Sequence, residues 1–320
     1  MGTAAPPSGG GASRGHEGSH SLRKEVVAGV RDPGRVREQY EAYWSEVLAQ
    51  ARRIVAAEPG TLARALSLSI AAQAERPRKL RWLRGRRIAA ILAGQPLPAR
   101  LDPRCIDRIA RTAIAELVAG YCADDTRRIV ELGSGWGANL FGLWLAGAPR
   151  AAEYVALEYT EAGREATRLL AGTEAALDLK VIPFDYHAPD LAAFRTAEKT
   201  VVFTAHSIEQ ITHLNDALFE ELLAIPGLDR VVHVEPVGWQ LLADTAAGPL
   251  IGLLSRIVPP RLSLELDLRR RSRSTGYNVD LLPKLRALER AGRIRIERIE
   301  KNYVGTNPLN PGTAIVWRRA

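Results

Sequence analysis

Apolar positions change their rhythm once along this chain, near residue 128. Before that point they recur at three- and four-residue spacing, the period of one helical face. Tyr40, Tyr43, Trp44 and Val47 make one such stripe; Leu62, Leu66, Leu68 and Ile70 continue on further helices; Ile106, Ile109, Ile114 and Leu117 make another. Pro59-Gly60 breaks the pattern, and Gln95-Pro96-Leu97-Pro98 reads as a turn after Ile88, Ile91 and Leu92. Asp102-Pro103 has the form of an N-cap followed by proline at the first helical position. No strand pattern is visible here, so 22–124 is predicted to be an all-helical cap. Beyond 128, short β-branched runs alternate with helical segments, as in successive βαβ units. Strands are predicted at 129–132, 154–157, 180–183, 200–204, 230–234, 294–299 and 313–317, with helices near 138–146, 161–171, 216–223 and 279–291. This pattern predicts an α/β fold with a seven-stranded, mostly parallel sheet that closes on an antiparallel hairpin.

Composition adds the edges of this picture. Residues 1–21 are rich in Gly, Ser, Ala and Pro and are predicted to be a disordered tail, because such a segment cannot bury enough apolar surface to offset its ordering entropy. The span of about 238–278 is expected to be an insertion in the α/β domain, which otherwise occupies 125–320. The chain has 320 residues, 46% of them hydrophobic and 25% charged, within the usual range for a globular protein. No apolar run approaches the roughly 18 to 20 residues that cross a bilayer, and the N-terminus has no apolar leader core. The two cysteines, Cys105 and Cys122, are too few for a disulfide framework and have no metal-ligating company. A reducing cytoplasmic setting without membrane attachment and without a metal is therefore expected. The net charge of +8 is concentrated in two clusters, one from Arg76 through Arg78, Lys79, Arg81, Arg84 and Arg86 to Arg87, the other at Arg269, Arg270, Arg271 and Arg273. Each reads either as a solvated basic face or as a dock for an anionic partner.

The chemistry is concentrated where the first predicted strand ends, in Glu131-Leu132-Gly133-Ser134-Gly135-Trp136-Gly137. Glycine at every second position lets the chain turn tightly and bares its backbone, and a helix N-terminus follows immediately. The dinucleotide fingerprint spaces its glycines G-x-G-x-x-G; here the spacing is G-x-G-x-G behind an acid. This segment resembles motif I of the class I, Rossmann-like S-adenosylmethionine-dependent methyltransferases. The resemblance implies that Glu131 and the backbone of Gly133, Ser134, Gly135 and Gly137 hold the methionine end of S-adenosyl-L-methionine. Glu131 would attract its ammonium and repel a pyrophosphate. The resemblance also implies that Glu158, ending the second strand with Tyr159 beside it, accepts the ribose hydroxyls. Asp185, after the third strand, would read the adenine amino group, with Tyr186 or Phe184 against the ring. It covers about 125–240 well, the last strands loosely and the helical cap not at all.

The methyl acceptor is expected at the carboxyl ends of the fourth and fifth strands. His206 and Glu209 are one helical turn apart there, and Glu235 ends the fifth strand; these are the candidate catalytic residues. His233, inside an apolar strand, reads as a satisfied core histidine, and the Asn302–Pro311 stretch as a tight turn between the last strands. Methyl transfer from a sulfonium needs in-line alignment and the loss of one proton from the acceptor. N-methylation of a peptide or natural-product intermediate, leaving S-adenosyl-L-homocysteine, leads the expectations. An RNA methyltransferase, a small-molecule O-methyltransferase, an NAD(P)-dependent oxidoreductase and a non-catalytic binding module are the alternatives. The partners expected are an acidic peptide or a small molecule as acceptor, nucleic acid as second choice, and a second copy of the chain in a homodimer.

Overall fold

The computed structural model describes residues 26–27, 30–57, 60–74, 91–92, 95–96, 103–242, 269, 272–305 and 311–320. The tail expected over 1–21, the basic run from Arg76 to Arg87, Arg270 and Arg271, most of the 238–278 insertion and residues 306–310 lie outside them.

The described chain begins with two-residue strands β1 (Val26–Val27) and β2 (Val30–Arg31), paired antiparallel. Helices α1 (Pro33–Ala57) and α2 (Leu62–Ala74) follow, then β3 (Ile91–Leu92), β4 (Gln95–Pro96) and helix α3 (Pro103–Ala119). The α/β part runs β5 (Arg128–Leu132), α4 (Ala138–Leu145), β6 (Glu153–Glu158), α5 (Glu161–Ala171), β7 (Leu179–Pro183), β8 (Thr200–Ala205), α6 (Ala217–Leu223) and β9 (Leu228–Glu235). It ends with α7 (Leu281–Arg290), β10 (Ile294–Gly305) and β11 (Gly312–Arg319).

Each predicted strand and helix of the α/β part is present, with ends within a few residues of expectation. The exception is the penultimate strand, which continues to Gly305. The sheet order is β4-β3-β10-β11-β9-β8-β5-β6-β7. β5 to β9 run parallel to one another, and β11 is antiparallel to both β9 and β10. The order reverses between β5 and β8, which opens a crevice beyond the carboxyl ends of those strands.

The expectation of an all-helical cap over 22–124 is corrected by the short strands β1 to β4. Leu92 and Ile91 pair with Val304 and Gly305 of β10 and lengthen the sheet at that edge. Two residues leave no alternation to read, and their pairing depends on β10, more than 200 positions away. Pro96 sits in the outermost strand, where a missing N–H costs nothing in the ladder.

Strands buried on both faces need apolar cover on both sides. One face carries Ile129, Val201 and Phe203 against α4, α5 and the N-terminal helices, whose Val47, Leu48, Leu66, Ile114 and Val118 belong to the same core. The other carries Val130, Leu132 and Val202 against α6 and α7. The ends of the insertion meet: buried Gln240 donates to the Asn278 carbonyl at 3.0 Å and accepts from the Leu282 amide at 2.9 Å.

α1 is fastened to α5 by a cap from outside the helix. The Glu41 carboxylate accepts from the amides of Glu161 and Ala162, both at 2.9 Å, while Thr160 accepts from Gly163. These bonds satisfy amides that the helix leaves unpaired and place negative charge at its positive end. Glu41→Ala is expected to cost about 1–2 kcal/mol in urea unfolding, whereas Glu38→Ala on the exposed side of the same helix is expected to cost under about 0.5 kcal/mol.

Candidate active site

The loop between β5 and α4 turns through left-handed backbone at Gly133, Gly135 and Gly137, with φ of 70°, 58° and 79°. A side chain is strained in that region, and here it would also collide. A Cβ on Gly133 would lie 2.5 Å from the Ser207 Cβ, one on Gly135 2.7 Å from the Trp44 ring, and one on Gly137 2.8 Å from Thr167. The bare backbone is therefore pressed first by other parts of the protein. Gly137 caps α4 and faces Thr167 and Phe141 rather than the cavity, which corrects its assignment as a cofactor-contacting residue.

A cavity of about 480 Å³ opens above this loop, at the carboxyl edge of the sheet, lined by Gly133, Ser134 and Gly135. That volume lies in the range of small-molecule sites. Glu158, Tyr159, Asp185 and Tyr186 line it as well. Glu158 holds the loop in shape: it accepts from the Gly135 amide at 2.8 Å, the Thr160 amide at 2.9 Å and the Thr160 hydroxyl at 2.6 Å. Burial raises its pKa, and those hydrogen bonds work against the rise. Asp185 accepts from the His187 amide at 2.8 Å. Tyr186 lies beside Gly133, its hydroxyl 2.9 Å from the Leu132 carbonyl, while Phe184 stands edge-on behind it and does not line the cavity.

Glu131 sits deeper than its expected role requires. It is 1% exposed and lies behind the cavity wall. Its Oε1 accepts from Asn139 at 2.7 Å, its Oε2 is buried without a partner, and burial pushes its pKa up to about 8. The Asn139 Oδ1 accepts from Arg111 at 3.4 Å, and the Arg111 guanidinium lies over the Trp136 ring, 5.5 Å from its centroid.

On the other side of the loop, His206 and Glu209 face one another across 3.7 Å from Nδ1 to Oε2, and both line the cavity. His206 has a left-handed φ of 55°, an unusual conformation for a residue other than glycine. Burial opposes its protonation, but the hydrogen bond and charge of Glu209, with Glu235 behind, outweigh burial and raise the His206 pKa. Glu235 does not reach the cavity. It is 0% exposed and accepts from the amides of Ser207, Ile208 and Glu209, which corrects its assignment as an acceptor-side catalytic group. The loop after β8 folds over the end of β9, so the last residue of that strand is roofed. His233 is a buried core histidine with both ring nitrogens engaged, by Thr204 and by Trp317.

The N-terminal segment contributes more than the sequence pattern indicated. Val36, Tyr40, Tyr43 and Trp44 of α1 and Asp107 and Arg111 of α3 line the cavity. The apolar spacing of α1 marks one helical face and not what that face meets; the clue to its use is that two of its three rings end in hydroxyls, which need a polar partner when buried. Nothing in the spacing marked Arg111.

No family model matches this chain, and no curated protein does. Solved structures similar to it include EvdMO1, at 15% identity and a TM-score of 0.37, over 65% of this chain and 41% of that one. The mitomycin 7-O-methyltransferase MmcR is 16% identical, with a TM-score of 0.42, over 90% of this chain and 69% of its own. The CcbJ methyltransferase from Streptomyces caelestis is 16% identical, with a TM-score of 0.41, over 66% and 89%. The chain spans less than half of EvdMO1, and at these scores none of the three speaks to what it binds. Among the described residues, no helix is long and apolar enough to cross a membrane and no cluster of ligands could hold a metal.

The His206–Glu209 contact has a measurable signature. By NMR titration the His206 imidazole is expected to keep its proton above pH 6.5, since its partner favours the charged form. The stability it contributes is complete below the unfolded-state value and is lost as pH rises through the higher native one. Glu209→Gln should move the midpoint back toward or below 6.5; an unchanged midpoint would mean that the two side chains do not interact in solution.

Proposed function

We propose that this chain is a methyltransferase that uses S-adenosyl-L-methionine, bound at the carboxyl edge of β5 and β6. The observation that carries the reading is a set of unpaired polar atoms around one turn of backbone. Glu131 Oε2, Ser134 Oγ and Arg111 Nε are all buried without a partner, and Asn139 bonds both Glu131 and Arg111. Orphaned buried groups of this kind are costly and mark where a ligand completes the hydrogen bonding. A carboxyl group, a hydroxyl and a guanidinium together complement the ammonium and carboxylate of an amino acid. Glu158 and Asp185 line the remainder of the cavity, in reach of a ribose and a base. The residues therefore fit the group, with Ser134 and Arg111 at the cavity surface toward its amino-acid end and Glu131 behind them, linked to Arg111 through Asn139.

When bound, the cofactor supplies a methyl group on a sulfonium, open to in-line displacement. The protein's part is to align the acceptor and to take its proton. His206 can accept a proton at the ring nitrogen not turned toward Glu209, and Glu209 steadies the resulting imidazolium. Tyr40, Tyr43 and Trp44 of α1 present an aromatic wall to the cavity.

For the acceptor, the sequence favoured nitrogen on a peptide or natural-product intermediate, with the basic clusters as the dock. Of the second cluster only Arg269 and Arg273 are described, and neither lines the cavity. The His206–Glu209 pair favours a second reading, a small molecule that loses a proton from a hydroxyl, because a histidine base matches that task near neutral pH. An acidic peptide, RNA or a second copy of the chain as partner stays a proposal resting on charge alone, and a cytoplasmic location one resting on composition.

Titration calorimetry separates the cofactor classes: S-adenosylhomocysteine is expected to bind and NADH not to. Arg111→Met is expected to weaken S-adenosylhomocysteine by roughly 10- to 100-fold, the worth of one charge-assisted hydrogen bond. The same substitution should leave 5′-methylthioadenosine, which lacks the amino-acid end, within about twofold. Equal losses for both ligands would overturn the placement of the amino-acid end.

A further inference from the structure

A line of buried hydrogen bonds crosses the sheet edge beneath the loop that carries His206 and Glu209. Trp317 Nε1–H on β11 donates to His233 Nε2 on β9 at 3.0 Å. That leaves the ring proton of neutral His233 on Nδ1, 3.0 Å from Thr204 Oγ1 on β8. Burial pushes the His233 pKa down to about 3, so the ring stays neutral at working pH and the direction of donation does not reverse. Thr204 accepts from His233, which frees its own hydrogen for Glu235, two residues beyond His233 on the same face of β9, and its nearness lowers the Glu235 pKa against the effect of burial. Glu235 then accepts from the amides of Ser207 at 3.2 Å, Ile208 at 3.2 Å and Glu209 at 3.3 Å.

We propose that Glu235 is a positioning residue for the acceptor-side loop, and that the Trp317–His233–Thr204 chain fixes the orientation of its carboxylate. Each donor in the line points toward Glu235, and each backbone amide it receives belongs to the segment between His206 and Glu209. The loop needs such a hold. His206 is in the left-handed region, which a side chain occupies only when its surroundings over-determine it. Its ring packs close to the bare backbone of Gly312, where a Cβ would stand 3.4 Å from Nε2. Thr204, His233, Glu235 and Trp317 are each 1% exposed or less, so the chain works through the loop and not by touching a ligand. The charged and titratable groups around Glu235 are His206 and Glu209 on the loop and Tyr186 after β7.

The catalytic sense of this role rests on reading His206 and Glu209 as acceptor-side groups, but the test needs neither cofactor nor acceptor. Backbone amide exchange and the His206 imidazole titration are followed by NMR in the full chain and in Thr204→Val, Thr204→Ser and Glu235→Gln. In Thr204→Val, which keeps the shape and removes the hydroxyl, the amides of 207–209 should exchange roughly fivefold faster or more. The His206 midpoint should shift at the same time, while the amides of β5 and β6 are unchanged. Thr204→Ser restores the hydroxyl and should match the wild type in both readouts. Glu235→Gln should show the larger effect of the same kind; if it does not fold, the threonine pair decides. Valine and serine behaving alike, or exchange rising evenly across the sheet, would overturn the proposal. A failure to bind S-adenosylhomocysteine would overturn the cofactor reading and leave this result standing.

Discussion

The bond from the Gly135 amide to the Glu158 carboxylate is the contact on which the rest of the site is built. A loop with glycine at every second position has high conformational entropy in the unfolded chain, and a defined left-handed path through it must be held by something outside the loop. Glu158 does this from the end of the neighbouring strand, while Thr160 satisfies its other oxygen. With the loop fixed, Ser207 can close on Gly133, Trp44 on Gly135 and Thr167 on Gly137, each at a distance that any side chain would forbid. The floor of the cavity is thus a junction of three separate parts of the chain.

Polar groups divide around this junction into two kinds. On the α3 side they are left open: Glu131, Ser134 and Arg111 carry buried atoms without partners. Below the loop that carries His206 and Glu209 they are closed: Trp317, His233 and Thr204 bond in sequence, and Glu235 beside them accepts from three loop amides. The same low-dielectric surroundings make an unpaired group costly and a completed chain stiff. An open set is what a ligand can complete, and a closed set is what holds the walls for it. The two carboxylic acids Glu131 and Glu235 illustrate the division. Burial raises both, to about 8 and about 7, yet one has an oxygen free of partners and the other is ringed by amides.

The helices before residue 128 are part of this arrangement and not an appendage. α1 shares the core of one sheet face, supplies Trp44 against the glycine loop, and caps α5 through Glu41. The helix that lines the cavity with its aromatic face is therefore bonded to the helix that follows β6. Movement of α1 would disturb both the cavity wall and the positive end of α5 together.

The strands, the glycine loop and the acids at the strand ends were legible from sequence because each depends on residues within a few positions of one another. β-branched runs specify buried strands, glycine spacing specifies the turn, and the alternation of the two specifies a parallel sheet. Which acid meets the cavity was not legible. Glu209 follows the end of β8 and Glu235 is the last residue of β9, and only the path of the loop after β8 roofs Glu235 and leaves Glu209 on the cavity. Gly137 was indistinguishable from Gly133 and Gly135 until α5 was seen packed against it. Ile91 and Leu92 became a strand because β10 offered an edge. Arg111 reached the cavity because α3 lies over Trp136. Local spacing decides what the backbone does; the exposure of a side chain is decided by whatever distant segment comes to rest on it, and that is a property of the packed molecule alone.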